Sequence, residues 1–191
     1  LPAVNREIAL KQLSRIRSSV KNLTSILDEF LSVTKIEEGN IRSNFEQLDL
    51  PRFVQNICND LQSFAKQGQV ILYQHTGDSD VQTDPVLLGN IMNNLISNSI
   101  KYSPEDSKIH VSSSVNNQFQ LSVQDNGMGI PKNDQKHLFT RFYRASNASA
   151  VQGTGLGLHI MKHYTEMLNG FVELTSEVGK GTTVKITFKR T

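Results

Sequence analysis

The 191-residue sequence has no tryptophan and only one cysteine, Cys58. A single cysteine has no partner for a disulfide or a cysteine-based zinc site, which fits a reducing compartment such as the cytoplasm. We expect Cys58 to fill space in the core beside Ile57 and Leu61. Lysine and arginine form no runs and the formal net charge is only +2, so nucleic-acid binding is not expected. No apolar run reaches the length of about 20 residues that a transmembrane helix needs.

A long amphipathic helix is predicted for residues 4–38. Its apolar residues recur at alternating spacings of three and four, as in a coiled coil: Leu13, Ile16, Val20, Leu23, Leu27 and Phe30. A helix about 50 Å long cannot bury that seam alone, so we expect partner helices, most simply in a four-helix bundle across a dimer. Gly39 and Asn40 end the helix, and we place the domain boundary there, between residues 1–40 and 41–191.

The second domain has the element pattern of an α+β fold. A short strand is predicted within residues 41–50, and further strands are predicted at residues 70–75, 78–83, 108–115, 119–124, 171–175 and 183–188. Three main helices are predicted at residues 52–66, 84–102 and 156–168, with a short helical piece at 135–143. One layer of helices on one mixed, mostly antiparallel sheet is the economical packing for these elements.

The helix predicted at residues 84–102 carries a polar stripe at helical spacing: Asn90, Asn94, Asn98 and Lys101. An apolar arc runs beside and behind it: Leu88, Ile91, Met92, Leu95, Ile96 and Ile100. Asparagine is a mediocre helix former, so three of them on one face favour a binding site. Amide oxygens one turn apart can ligate a hard cation, and the lysine can meet phosphate charge. The alternative is an ordinary amphipathic helix with a polar outer face.

Two glycine-rich segments follow. Asp125 ends an apolar strand and is followed by Gly127 and Gly129; a buried carboxylate needs a donor such as an exocyclic amine, and glycines let the backbone approach a flat base. A plain Asn-Gly turn is the alternative. The second segment, with glycine at alternate positions over 153–157, opens a helix whose bare amides favour phosphate. Its spacing matches neither the dinucleotide-binding nor the P-loop pattern.

The connection between the glycine segments, about two dozen residues, is long for an ordered loop and predicts a mobile flap. It carries an apolar anchor formed by Phe139, Phe142 and Tyr143, and two cations, Arg141 and Arg144, either of which could meet a terminal phosphate. A surface helix with a satellite core is the alternative, and Arg144 belongs equally well to that structure.

Taken together, these motifs resemble the ATP-binding domain of sensor histidine kinases, a Bergerat-type or GHKL fold shared with gyrase, MutL and the ninety-kilodalton heat-shock chaperones. Residues 94–102 resemble the family's N box and residues 125–129 its first glycine box. Residues 139–144 resemble the F box, which separates histidine kinases from the other members, and residues 153–158 the second glycine box. The resemblance implies a two-layer α/β sandwich for residues 41–191.

The resemblance also implies ATP and Mg²⁺ as ligands. The catalytic residues that it implies are Asn94, Asn98 and Arg141. Asn98 would hold Mg²⁺, Arg141 would meet the γ-phosphate, and Asn94 would assist near the phosphates. The residues implied in nucleotide binding are Asn94, Asn98, Lys101, Tyr102, Asp125, Gly127, Gly129, Ile130, Arg141, Gly153, Thr154, Gly155, Leu156, Gly157 and Leu158. Among them Lys101 neutralises phosphate charge, Tyr102 flanks the base and Asp125 accepts the adenine amine.

Residues 26–37 resemble the second helix of the dimerisation and histidine-phosphotransfer hairpin, so residues 1–40 are expected to be part of that hairpin. The first helix, with its phosphoacceptor histidine in a His-Glu/Asp context, is missing. None of the histidines has that context: His75, His110, His137, His159 and His163. We therefore expect a fragment that binds ATP without autophosphorylation.

The parent protein is expected to be a homodimeric kinase, cytoplasmic or the cytosolic portion of a membrane-bound sensor. It would transfer the γ-phosphate to that histidine for relay to the receiver domain of a response regulator. Two other functions remain open: a regulatory module that senses ATP without transferring phosphate, and an ATPase of the wider superfamily that works as a conformational clamp.

Overall fold

A computed structural model describes residues 3–39 and 41–189. They divide into two compact units, of which the first ends at Ile41 and the second begins at Arg42. The first unit is one helix, α1 (Ala3–Glu37). Each of its seam residues is more than half exposed: Leu13, Ile16, Val20, Leu23, Leu27 and Phe30. Gly39, with a φ of 65°, has the left-handed backbone that ends helices, and Asn40 lies outside the described residues. Partner helices for the seam stay a prediction.

The second unit contains helices and two sheets. In chain order its elements are β1 (Glu46–Asp49), α2 (Leu50–Gln62), β2 (Val70–Gly77), β3 (Asp80–Thr83), α3 (Pro85–Tyr102), β4 (Lys108–Val115), β5 (Gln118–Asp125), α4 (Lys132–Gln135), a 3₁₀ turn (Ser146–Ala148), α5 (Gly157–Met167), β6 (Gly170–Glu177) and β7 (Gly181–Lys189). Within the described ranges, no helix is long and apolar enough to cross a membrane.

The main sheet has five strands in the order β2-β4-β5-β7-β6. Within the part of the chain that the structure describes, the β2–β4 pair of this sheet is parallel and the other three pairs are antiparallel, so the predicted mixed, mostly antiparallel sheet is confirmed. The prediction of a single sheet was wrong, because β1 and β3 pair with each other in a separate two-stranded sheet. Gly77, at a φ of 90°, redirects the chain between β2 and β3, a conformation that glycine adopts at low cost.

Helices α2, α3 and α5 pack on the main sheet. Val111, Val123 and Val184 lie side by side on β4, β5 and β7, and all three are buried. The next residues along, including Ser112 and Ser122, point to the opposite face and are only half-buried. This alternation covers one face of the sheet and leaves the other polar, which confirms the two-layer α/β arrangement.

The helix predicted at residues 135–143 was wrong. Helix α4 ends at Gln135, and the chain beyond it forms turns. Phe142 has a φ of 61°, which is incompatible with an α-helix. The chain folds back because the Asp134 carboxylate accepts hydrogen bonds from the Tyr143 hydroxyl and from the backbone and side chain of Ser146.

Candidate functional site

Helix α3 is fixed at its start by a side-chain cap. Asp84 is buried and its Oδ1 accepts hydrogen bonds from the N–H groups of Val86 at 2.8 Å and Leu87 at 3.0 Å. Pro85 occupies the first helical position, where its missing N–H costs no hydrogen bond. The predicted apolar arc is buried in full: Leu88, Ile91, Met92, Leu95, Ile96 and Ile100. Burial of that arc turns the polar stripe of α3 away from the core.

The end of α3 is held by the loop that precedes β2. The buried side chain of Gln69 donates hydrogen bonds to the carbonyls of Ile100 and Ser103, both at 3.2 Å. Lys66 Nζ donates to the carbonyls of Lys101 at 2.8 Å and Ser103 at 2.6 Å. These bonds satisfy carbonyls that a helix end leaves unpaired, and they fix the main chain that carries Lys101.

Two asparagines of the stripe interact directly. Asn98 Nδ2 donates a hydrogen bond of 2.9 Å to Asn94 Oδ1, and both side chains are half-buried. This bond orients Asn98 with its amide oxygen as the remaining acceptor, because an amide nitrogen can only donate. A hard cation prefers such an oxygen.

The second glycine segment lies against this stripe. A β-carbon at Gly157 would be 2.5 Å from Asn94 Nδ2, and one at Gly153 would be 2.6 Å from Lys101 Nζ. The Lys101 ammonium also lies 5.1 Å from the centroid of the Tyr102 ring. Within the described residues no side chain caps the start of α5, so its first N–H groups favour an anion. The Lys101 ammonium adds positive charge at Gly153 of the same glycine segment.

The other residues of the second glycine segment shape its backbone. Thr154 Oγ1 accepts a hydrogen bond of 3.2 Å from the Leu156 N–H. The Leu156 side chain is buried, and contact of this residue with a ligand stays a prediction. Leu158 and Ile130 pack together against a small core formed by the flap.

Asp125 is buried at the end of β5 and holds three hydrogen bonds. Its Oδ1 accepts from the Gly127 N–H at 2.9 Å and the Thr182 N–H at 3.2 Å, and its Oδ2 accepts from Ser99 Oγ at 3.1 Å. Burial raises the pKa of Asp125 above its ordinary value, while the bonds from Gly127, Ser99 and Thr182 act in the opposite direction. The result is an oriented, acceptor-rich group beneath α3.

The first glycine segment packs tightly against the end of α3. The Met128 N–H donates to the Tyr102 carbonyl at 3.2 Å, and a β-carbon at Gly127 would lie 2.7 Å from that oxygen. Gly129 has a φ of 66°, and a β-carbon there would be 2.0 Å from the Glu177 carbonyl oxygen. Side chains at either position would clash with backbone, so both glycines are required for the close approach.

The flap is anchored by a small core of buried residues with four partly buried neighbours: Leu138, Ala145 and Ala148, with Tyr102, Ile130, Leu158 and Leu174. The predicted anchor of Phe139, Phe142 and Tyr143 was wrong, because none of these residues belongs to this core and Phe142 is 59% exposed. Tyr102 belongs to both the end of α3 and this core, so it links the flap to the polar stripe.

The F-box segment and the second glycine segment meet through their main chains. A β-carbon at Gly155, which has a φ of 76°, would lie 2.7 Å from the Phe142 carbonyl carbon and 2.8 Å from the Tyr143 carbonyl oxygen. The Arg141 guanidinium lies 5.5 Å from the centroid of the Phe142 ring. Arg141 is thus carried on the loop that supports Gly155; its contact with a γ-phosphate stays a prediction.

Two polar residues that the sequence singled out serve other purposes. Asn90 is exposed, and its amide donates to the Val86 carbonyl of its own helix at 2.9 Å. Arg144 donates to the carbonyls of Ala148 and Val151 inside the flap. Of the two readings of Arg144, the structural one is therefore favoured.

Two residues that bond to Asp125 were not predicted from the sequence. Ser99 had a usable signal, because it is a small hydroxyl between Ile96 and Ile100 on the buried side of α3. Thr182 had none, because its backbone N–H reaches Asp125 only through the pairing of β5 with β7.

Comparison with known proteins agrees with this geometry. The family of histidine kinase-, DNA gyrase B-, and HSP90-like ATPases matches residues 83–191, more than half of the chain. The sensor histidine kinase WalK of Bacillus subtilis is 32% identical over 190 residues, covering 96% of this chain. The chain spans only 31% of the length of WalK.

Two solved structures share the fold. The histidine kinase AdeS of Acinetobacter baumannii superposes with a TM-score of 0.74 at 22% identity, covering 93% of this chain and 83% of that one. Full-length ShkA in complex with AMPPNP superposes with a TM-score of 0.81 at 20% identity, covering 95% and 39%. The resemblance inferred from the boxes is confirmed, and the chain belongs to the histidine kinase-, DNA gyrase B-, and HSP90-like ATPase family.

Proposed function

We propose that this chain is the ATP-binding catalytic part of a two-component sensor histidine kinase, joined to one helix of the dimerisation and histidine-phosphotransfer hairpin. The observation that carries the proposal is the contact of the second glycine segment with the polar stripe of α3, at Asn94–Gly157 and Lys101–Gly153. A triphosphate held there meets the start of α5 on one side and the Lys101 ammonium on the other.

The adenine base is held by Asp125 and by the apolar residues around it. The carboxylate accepts the exocyclic amine, while Tyr102, Ile130 and Leu158, which pack on the flap core, flank the ring. Gly127 lets the backbone come close to the base, since a side chain there would strike the Tyr102 carbonyl.

Magnesium fits the amide oxygen of Asn98. The bond from Asn98 Nδ2 to Asn94 leaves that oxygen as the ligand atom, and Mg²⁺ takes few protein ligands while keeping several waters. Bound with the nucleotide, the ion would neutralise part of the charge on the phosphates.

Phosphoryl transfer at this site is a matter of positioning and charge stabilisation. Arg141, on the loop beneath Gly155, stabilises charge on the γ-phosphate, and Lys101 stabilises charge on the remaining phosphates. The nucleophile is a histidine imidazole on the other helix of the hairpin, in a homodimer of the full protein. The phosphoryl group passes from that histidine to the receiver domain of a response regulator.

The decisive experiment is a calorimetric titration of ATP, with and without Mg²⁺, against the wild type, Asn98→Ala and Asn90→Ala. Asn98→Ala should lose the metal-dependent gain in affinity and keep the metal-independent part. Asn90→Ala is the matched control, because that residue is on the same helix with its amide bonded to Val86. Wild-type protein that binds no ATP, or Asn98→Ala protein with unchanged metal dependence, would contradict the proposal.

A second experiment tests the acceptor. Incubation of this chain with γ-labelled ATP should leave it unlabelled, because the phosphoacceptor is a histidine that the sequence does not contain in the required context. Stable label on a mapped residue of this chain would contradict that part of the proposal.

A further inference from the structure

We propose that Ser99 is a positioning residue that keeps Asp125 a pure hydrogen-bond acceptor and so sets a preference for 6-amino over 6-oxo purine nucleotides. The inference rests on the proposed function, because it concerns the group that recognises the base. It begins with the hydrogen bond of 3.1 Å from Ser99 Oγ to Asp125 Oδ2, made between two buried side chains.

The bonds to Asp125 leave one acceptor position. Each carboxylate oxygen accepts about two hydrogen bonds, and Oδ1 already accepts the N–H groups of Gly127 and Thr182. Oδ2 accepts only Ser99 among the bonds of the described residues. Oδ2 is therefore the atom that accepts a hydrogen bond from the exocyclic amine. Ser99, on the buried side of α3, fixes the orientation of that oxygen through its own hydrogen bond.

Selection between purines depends on the proton of Asp125. An ionised carboxylate only accepts, so it binds a 6-amino group and repels a 6-oxo group. A protonated carboxyl can donate, so it tolerates the 6-oxo group. Burial raises the pKa of Asp125, and the Ser99 hydroxyl is one of the three donors that oppose this change. Loss of Ser99 would keep the proton on Asp125 to a higher pH.

The groups that face the carboxylate come from each element around it. They are the Ser99 hydroxyl from α3, the Gly127 N–H from its own turn and the Thr182 N–H from β7, all uncharged. Of the two cations assigned to this site, Lys101 has its ammonium at Gly153 on the second glycine segment, and Arg141 has its guanidinium beside the Phe142 ring on the flap. Removal of the Ser99 hydroxyl therefore alters the hydrogen bonding and the pKa of Asp125 without removing a charged side chain.

The test compares ATP with inosine triphosphate, in which a 6-oxo group replaces the 6-amino group of ATP. Dissociation constants for both nucleotides are measured between about pH 5 and about pH 8, and their ratio cancels the titration of the shared triphosphate. The proteins are the wild type, Ser99→Ala and Ser99→Cys, because cysteine fills the space of serine but is a weak donor. Ser122→Ala, on the opposite face of the sheet, is the matched control.

The wild type should prefer ATP, and both Ser99 variants should bind ATP about tenfold more weakly at neutral pH, because Asp125 Oδ2 is no longer held toward the exocyclic amine that it accepts. In both variants the preference for ATP should disappear at a higher pH than in the wild type. The control should match the wild type. An unchanged ratio and pH profile in Ser99→Cys overturns this inference alone. A wild type that binds neither nucleotide overturns the proposed function and this inference with it.

Discussion

The amide of Asn94 lies directly against the first residue of α5, where a β-carbon at Gly157 would be 2.5 Å from Asn94 Nδ2 and 2.9 Å from Asn94 Oδ1. Only a residue without a side chain lets the start of α5 come this close to the stripe of α3. The two motifs, separate in the sequence, therefore form one surface.

Gly157→Ala should impair nucleotide binding without impairing folding. The added methyl group displaces the Asn94 amide and weakens its bond with Asn98, so we expect ATP affinity to fall by about tenfold. Gly157 is the first residue of α5, where alanine gains less than the roughly 1 kcal/mol that it gains over glycine inside a helix. The displaced Asn94 amide offsets that gain, so the melting temperature should change little. Gly89→Ala is the control, because its nearest neighbour, Phe53, would be at an ordinary 3.5 Å. Wild-type affinity in Gly157→Ala would refute the role of this contact.

Asp125→Asn should separate stability from binding. Burial raises the folded pKa of Asp125, against the bonds from Gly127, Ser99 and Thr182. Its stabilising contribution is thus fully present below the unfolded pKa and is lost as pH rises through the folded pKa. At neutral pH the ionised group lowers stability, so the variant should melt at an equal or higher temperature. Its advantage over the wild type should shrink as pH falls from the raised folded pKa to the ordinary carboxyl pKa, and should stay level below that.

Asp125→Asn should also have a much lower affinity for ATP. The asparagine nitrogen would point toward the adenine amine, and two donors cannot bond to each other, so affinity should fall by about a hundredfold. Thermal unfolding measured as a function of pH tests the predicted stability, and an ATP titration at neutral pH tests the predicted loss of affinity. A variant that is less stable at neutral pH yet binds ATP like the wild type would show that the carboxylate has a structural role only.

Asp134 should govern the order of the flap. Its carboxylate accepts the Tyr143 hydroxyl and the backbone and side chain of Ser146, each at 2.8 Å. We expect faster amide hydrogen exchange over residues 136–146 in Asp134→Ala, a smaller effect in Tyr143→Phe, and less than the sum of both in the double variant. The melting temperature should change little, because the flap is a peripheral segment. Strictly additive effects would show that the two residues act independently.

The same carboxylate should make the flap sensitive to acid. The backbone and side-chain hydrogen bonds from Ser146, followed by the bond from Tyr143, lower the pKa of Asp134. Its contribution is therefore present above the unfolded pKa and is lost as pH falls through the folded pKa. Exchange over residues 136–146, corrected for the intrinsic rate, should accelerate in that range in the wild type and stay level in Asp134→Ala.

Gln69→Leu should destabilise the second unit. The Gln69 amide is buried and donates to the carbonyls of Ile100, Ser103 and Pro104. Leucine leaves these acceptors with fewer donors in a place that water does not reach readily, at a cost of about 1–3 kcal/mol. Urea unfolding measures the loss. Gln67→Leu is the control, because the side chain is exposed; equal effects in both variants would argue against the proposed support of α3.

Cys58 should be unreactive in the native protein. Its side chain is buried, and burial raises its pKa to about 12, so almost no thiolate forms at neutral pH. A thiol reagent such as dithiobisnitrobenzoate should react with Cys58 only after addition of denaturant. Rapid native labelling would show that α2 opens at this position.

Local patterns predicted the elements that local forces build. The stripe of α3, its Asp84 cap and the β4–β5 hairpin are visible in the sequence because each depends on residues a few positions apart. The helix predicted at residues 135–143 from their apolar spacing is absent from the described structure, in which α4 ends at Gln135. The chain there follows the bonds that Asp134 makes to Tyr143 and Ser146, and local periodicity does not encode such bonds.

The family, the α+β class and the segments that form the site can be predicted from the sequence, because boxes and periodicities are properties of neighbouring residues. Tertiary structure alone decided which members of those segments meet. It paired Ser99 with Asp125 across 26 positions and brought Gln69 to the end of α3. The amide of Asn90, in contrast, bonds to the Val86 carbonyl of its own helix. The physical reason is that a buried polar group takes whichever partner the packed chain places within hydrogen-bond distance, and that placement exists only once the sheet and helices have packed.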